Sequence, residues 1–238
     1  MLKRSRWCCL PLICQNMPLT RHQSVAPTER RDLAHDEGVD VHSHDDHQII
    51  FAESGVLEVI TDAGTWFAPA TRAIWIPAGT AHSWRAHGRL TVHMLGLSAS
   101  DNLLTLEAPT VLIVSPLLRE LMLHRTSMPD AASPAGRRLH AVLLDQLHSS
   151  AQQPMQLPTT DNETLAKVCA ALQDNPADVP WLNTLAAHAH VSERTLSRLF
   201  RTELGMTFPQ WRTQVRLFHA LKMLAAGTPV TATAHACG

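Results

Sequence analysis

The chain has 238 residues, 45% of them hydrophobic, enough for a packed core in two small domains or one large one. Its 20 basic and 21 acidic residues leave a formal charge of -1, so overall charge neither favours nor excludes a polyanionic partner. The five cysteines, Cys8, Cys9, Cys14, Cys169 and Cys237, have no repeating spacing, which argues against a disulfide framework and fits a reducing compartment.

The opening "MLKRSRWCCLPLIC" pairs a basic start with a short apolar run, as a secretory signal does. Pro11 interrupts the run and no small-x-small cleavage site follows, so residues 1–19 read as a disordered tail. No apolar run approaches the roughly 18 residues of a membrane span. A cytoplasmic protein with no membrane partner is expected.

From about 39 to 97 the chain reads as strands, in "QIIFAESGVLEVIT", "RAIWIPAG" and "LTVHMLGL", with Gly, Pro and Asp as punctuation. Several short strands between turn signals predict a small barrel or sandwich. From about 115 the spacing becomes helical, first in "SPLLRELMLHR" and then in "RRLHAVLLDQLHSS". The second helix gathers Leu139, Val142, Leu143 and Leu147, with Ala141 beside them, on a face suited to intradomain packing or to a dimer contact. "SAQQPMQLPTTDN" reads as an interdomain linker, and the remainder is helical.

Side chains alternate along an extended strand, so in "VDVHSHDDHQIIFAESG" His42, His44, Asp46 and Gln48 share one face and His47 takes the other. "PAGTAH" adds His82 after a Pro-x-Gly turn. Two histidines two apart, a polar residue four further on and a distant histidine can converge as ligands of a divalent metal. The alternative is a set of imidazoles that line a pocket or hydrogen-bond within it. The spacing His42-x-His44-x3-Gln48-x6-Gly55, followed by Pro77-x-Gly79-x2-His82, resembles the paired motifs of the cupin barrels. That resemblance implies a barrel with a central pocket, for which the lining candidates are His42, His44 and Gln48 by strand parity and Trp75, His82 and Trp84 by proximity to the second motif at Pro77, and a metal set of His42, His44, Gln48 and His82. Gln48 stands where the pattern has an acidic ligand. For catalysis, Asp46 and Glu53 are the nearby carboxylates, and Glu53 falls on the opposite strand parity to the histidine pair.

In "LNTLAAHAHVSERTLSRLFRTELG", Leu185, Ala186 and Ala189 suit the buried face of a short helix, "HV" a tight connection, and Ser192 the N-cap of a second helix. Along that second helix Leu196, Leu199, Phe200 and Leu204 form an apolar stripe, while Arg194, Ser197, Arg198 and Arg201 take the other face. A helix fits the DNA major groove, where residues of its first turns meet base edges. Arg194, Thr195, Ser197 and Arg198 are the base-reading candidates; Arg201, Arg212 and Arg216 are assigned to phosphate. Between 192 and 216 five arginines stand against Glu193 and Glu203, a local balance suited to a polyanion. A solvated arginine face is the plainer alternative.

Residues 181–238 resemble the DNA-binding domain of AraC-type transcriptional regulators, through "SERTLSRLFRTELGMTFPQWRTQVRLFHALKMLAAGTPVTATA". The resemblance implies two helix-turn-helix units joined by a long helix, here about 209–226. His190 stands where that family commonly has a turn glycine. The closing "PVTATAHACG" is similar to the first helix and turn of the second unit, which implies a member truncated before its second recognition helix, with a frayed end and weakened DNA binding. The expected organisation is therefore α+β: a cupin-like sensor barrel at 20–100, a helical linker and dimerisation region at 101–158, and an all-α DNA-binding domain at 159–238. Its expected partners are double-stranded DNA, a small-molecule effector and a second copy of the chain. No cofactor is required, a divalent metal in the barrel being the one candidate. A metal-dependent cupin enzyme with an attached helical module, and a remnant regulator unable to bind DNA alone, are the alternatives.

Overall fold

The computed structural model describes residues 21–101, 104–128, 130, 132–174, 176–177 and 180–238, so the expected tail at 1–19 lies outside the described residues. The strands are β1 (Arg21–Gln23), β2 (Glu29–Leu33), β3 (Gly38–His44), β4 (His47–Ala52), β5 (Val56–Thr61), β6 (Gly64–Pro69), β7 (Arg72–Ile76), β8 (His82–His87), β9 (Leu90–Leu97), β10 (Thr110–Ile113), β11 (Gln152–Gln153) and β12 (Gln156–Pro158). The helices are α1 (Pro116–Ser127), α2 (Pro134–His148), α3 (Glu163–Asp174), α4 (Leu182–His188), α5 (Glu193–Leu204), α6 (Phe208–Ala225) and α7 (Val230–Cys237). A sheet-rich cupin-like domain followed by a helical region is what the residue pattern predicts.

The strands form two six-stranded sheets, one in the order β1-β3-β8-β5-β6-β12 and the other β11-β10-β7-β4-β9-β2. Alternation decides which side chain meets which layer. On β4, Ile50 and Ala52 face the space between the sheets with Val59, Trp84 and Val92. Ile49 and Phe51 face outward, where they pack with Trp75, Leu95 and Leu112 against Leu118, Met122, Leu143 and Leu147 of α1 and α2. Because both faces are covered, all of β4 is buried, and after His47 and Gln48 its Ile49–Ala52 run is continuously apolar rather than alternating.

One organisational expectation needs correction. Residues 101–158 are more than a helical linker: β10 pairs with β7 from Thr110↔Trp75 to Ile113↔Arg72, and β12 pairs with β6 from Gln156↔Trp66 to Pro158↔Gly64. The supposed linker "SAQQPMQLPTTDN" therefore holds two short strands. Strands of two and three residues, one ending in proline at a sheet edge, carry too little alternation to be read. The closing segment forms α7, the helix that the resemblance implies there, with Thr233 buried and hydrogen-bonded to the Pro229 carbonyl.

The outer face of the first sheet is covered by α6. Phe218 stacks on Phe67 of β6 with ring centroids 4.3 Å apart. At the β8–β9 turn, Gly88 has φ +82°, and a Cβ there would lie 2.3 Å from the Ala225 carbonyl oxygen. The absent side chain lets the end of α6 close onto the turn. Among the described residues no helix is long and apolar enough to cross a membrane.

Candidate functional site

His42 and His44 sit at the end of β3 and His82 at the start of β8, paired across the strands as His42↔His82. Their ring centroids lie 4.3 to 5.3 Å apart, all three are buried, and one ring nitrogen from each falls within 4.8 Å of the others. The Nδ1 atoms of His42 and His82 sit 2.8 and 2.9 Å from the carbonyls of Asp40 and Thr80. Donating there fixes the tautomer and leaves Nε2 with its lone pair. The buried Nε2 atoms of His44 and His82 have no hydrogen-bond partner among the described residues, and neither has the buried Oε1 of Gln48. Gln48 shares strand parity with the inward Ile50, so it too faces the interior.

Such lone pairs, clustered and unsatisfied, are costly unless something is bound to them. A divalent ion fits the three clustered imidazoles, and Gln48 adds an inward-facing amide on the other sheet. Burial lowers the His82 pKa to about 3, helped by His42 and His44 against the opposing Thr80 hydrogen bond, so His82 is held in its neutral form. Burial, then the charge of His42, lowers His44 in the same way.

The remaining pocket candidates divide. Trp84 faces inward opposite Val59 and belongs to the inner core. Trp75 does not line the interior. It pairs with Ile49 on the outward parity, packs against the α1–α2 layer, and stacks at 4.6 Å on His47, the histidine assigned to the opposite face. Proximity to the Pro77 turn placed it in the pocket; strand parity removes it.

In the helical part, α4 and α5 form the helix-turn-helix. The Ser192 hydroxyl accepts from the Thr195 amide at 3.0 Å and caps α5, and His190 takes the left-handed turn conformation at φ +55°. Leu196, Phe200 and Leu204 are buried, the Phe200 ring meeting Phe208 and Trp211 at 5.4 and 5.7 Å. Arg194, Arg198 and Arg201 are exposed, with Thr195 and Ser197 half-buried beside them and Arg212 half-buried on α6. Arg216 differs from expectation. Its guanidinium donates to the carbonyls of Pro176, Ala177 and Gly238 at 3.0, 3.2 and 3.0 Å, so it ties α6 to the α3–α4 connection and the chain's close instead of facing a groove.

A ligand-binding sandwich joined to a helix-turn-helix with an exposed basic face is a transcriptional regulator's architecture. Residues 29–157 match the AraC-like ligand binding domain and residues 185–238 a helix-turn-helix domain, and the chain belongs to the AraC family of regulators. The HTH-type transcriptional regulator NimR of Escherichia coli (strain K12) is 33% identical over 201 residues, covering 83% of this chain and 73% of NimR. Among solved structures, ToxT from Vibrio cholerae overlaps 90% of each chain at TM-score 0.39 and 9% identity. The AraC-like transcriptional activator CuxR overlaps 74% of this chain and 67% of its own at TM-score 0.35 and 13% identity.

Two polar clusters escaped the sequence reading. His93 is buried between Glu53, 2.8 Å from Nε2, and Thr126, 2.6 Å from Nδ1, and Arg119 of α1 reaches the same Glu53 at 3.2 Å. Glu58 of β5 meets His87 at 2.6 Å and Lys222 of α6 at 2.7 Å. The one sequence signal was a lone carboxylate inside "GVLEVIT"; its partner lies 164 residues away.

The lowered His82 pKa has a sign. Below about pH 6.5 the unfolded chain takes up a proton at this position that the folded chain refuses until about pH 3, so stability is complete above 6.5 and is lost as pH falls through that window. From pH 7 to 5 the loss through His82 is about 2 kcal/mol. Urea unfolding at both pH values checks it: His82→Gln should depend less on pH than wild type by about that amount, and an identical pH dependence would contradict it.

Proposed function

We propose that this regulator reads double-stranded DNA through α5. The carrying observation is that Arg194, Arg198 and Arg201 stand exposed on the helix face opposite the buried Leu196, Phe200 and Leu204. Arg194 and Arg198, with Thr195 and Ser197, lie in the first turns where base edges come within reach, and Arg201 and Arg212 serve phosphate. An effector held between the sheets, in the space lined by His42, His44, Gln48, His82 and Trp84, favours one arrangement of the chain over another and so biases DNA affinity. Duplexes selected from a randomised pool give the test. Arg194→Ala or Arg198→Ala should cost about 1–3 kcal/mol on the selected site and relax its sequence preference. Arg216→Met should instead lower stability and leave the salt slope unchanged, because its guanidinium is already engaged. Uniform weakening across all sequences by the α5 variants would sink base reading.

A second reading rests on the orphaned nitrogens. His42, His44 and His82, with the Gln48 oxygen, would hold a divalent transition metal. Their neutral donors suit zinc, nickel, cobalt or copper better than magnesium or calcium. The ion would supply a fixed positive charge to which an effector's donor atom binds. One equivalent per chain by metal analysis, lost in His44→Ala, is expected; no retained metal after loading with zinc or nickel would remove this reading.

Regulation rather than catalysis is supported by where the carboxylates go. Glu53 is directed outward to His93 and Arg119, and Asp46, the carboxylate whose charge is felt at His44, already accepts from the Ala26 amide at 3.3 Å. A homodimer through α2 is supported by Ala141 and Val142, which are exposed while Leu143 and Leu147 pack inward. A cytoplasmic setting agrees with the chain's DNA-directed role.

A further inference from the structure

Sensor and DNA-binding helices meet along one seam, where the Gln214 side chain of α6 donates to the Pro154 carbonyl at 3.4 Å and the charged groups gather on one carboxylate. Glu58 lies on the outer parity of β5, between Leu57 and Val59, both in the apolar core. Its Oε2 is 2.6 Å from His87 Nε2 on β8, and its Oε1 accepts from Lys222 Nζ on α6 at 2.7 Å. The Glu58 and His87 side chains are 11% and 10% exposed, and Lys222, at 33%, keeps a route to solvent. The Lys222 ammonium also sits 4.8 Å over the Phe67 ring, the ring on which Phe218 stacks.

This arrangement is suited to opening. A buried carboxylate that loses its cation is left uncompensated, whereas Lys222 has only to swing outward. Burial alone would raise the Glu58 pKa, but the His87 hydrogen bond and the Lys222 charge hold it below the usual carboxylate range. Beside the pair lies a cavity of about 90 Å³, bounded by Thr65, Phe67 and Leu157 of the sensor and by Val215, Phe218 and His219 of α6. β8 itself runs from His82, in the histidine cluster, to His87, at the carboxylate, so one strand carries both features.

We propose that Glu58 and Lys222 form an ionic latch holding α6, and with it the DNA-binding unit, on the sensor sheet, and that the latched form is the DNA-competent one. In the latched form Arg194, Arg198 and Arg201 are all exposed, so docking leaves the reading face clear. Docking also fixes that face relative to the sensor before DNA arrives. The proposal rests on the regulator reading for its consequence but not for its mechanics.

The test uses the full chain with no effector added. Lys222→Met keeps the stem over Phe67 and removes the charge; Glu58→Gln keeps the shape and removes the anion. Both should speed hydrogen exchange at the α6 amides around 218–225 on the order of tenfold, while α5 keeps its protection. Charge reversal in Glu58→Lys with Lys222→Glu together should restore protection that either reversal alone loses. The selected duplex should bind the two neutral variants severalfold more weakly. Unchanged exchange at α6 in both neutral variants would overturn the latch and leave the apolar seam, Phe67–Phe218 included, to hold α6 in place. Faster exchange with unchanged DNA affinity would overturn its regulatory role. If wild type binds no duplex, the α5 reading fails while the exchange measurement still decides the latch.

Discussion

The structure depends on strands that are buried on both faces. β4 and β5 each present one parity to the space between the sheets and the other to a helical layer, so the sensor's interior and its exterior contacts are alternate residues of the same strands. For β4 the outer layer is α1 and α2; for β5 it is α6. A single apolar cluster consequently extends from Ile50 and Trp84 inside the sensor, through Phe67 and Phe218, to Trp211, Phe200 and Leu196 beneath the reading helix. A shift in β5 or β8 is therefore felt on the helical side, because a close-packed cluster transmits displacement instead of absorbing it.

The histidine cluster and the reading helix use opposite electrostatics. The three imidazoles are buried, burial lowers the pKa of His44 and His82, and the Nε2 atoms of those two lack a hydrogen-bond partner among the described residues, an arrangement that costs stability unless a ligand satisfies it. The arginines of α5 are exposed and carry their charge in water, where it guides a polyanion without a folding penalty. Between them the ion pair of Glu58 and Lys222 is half-buried, poised between those two extremes.

What the sequence disclosed followed from periodicity. The His42–His44 pair, His82, the Ser192 cap and the Leu196–Phe200–Leu204 stripe were legible because their spacing states which face they share. The turn at His190 was legible through the family resemblance, which has a turn glycine at that place, and the left-handed backbone is there. Trp75 was misplaced because nearness in sequence to the Pro77 turn was used where parity was the better guide. Arg216 was misassigned because helical spacing gives the direction of a side chain but not the carbonyls waiting beside it. β11 and β12 were too short to show a period. Glu58, His87 and Lys222 were invisible as a set, since nothing local links a strand carboxylate to a lysine on a helix formed 164 residues later.

The central claim is that sensor and DNA-binding helices share one core through the Phe67–Phe218 stack. A double-mutant cycle measured by urea unfolding of the full chain, with Phe67→Leu and Phe218→Leu singly and together, tests it most directly. The account expects one cooperative transition in wild type and a coupling between the two rings of about 0.5–1.5 kcal/mol. Additive effects of the two substitutions, with sensor and helical region unfolding in separate transitions, would contradict it.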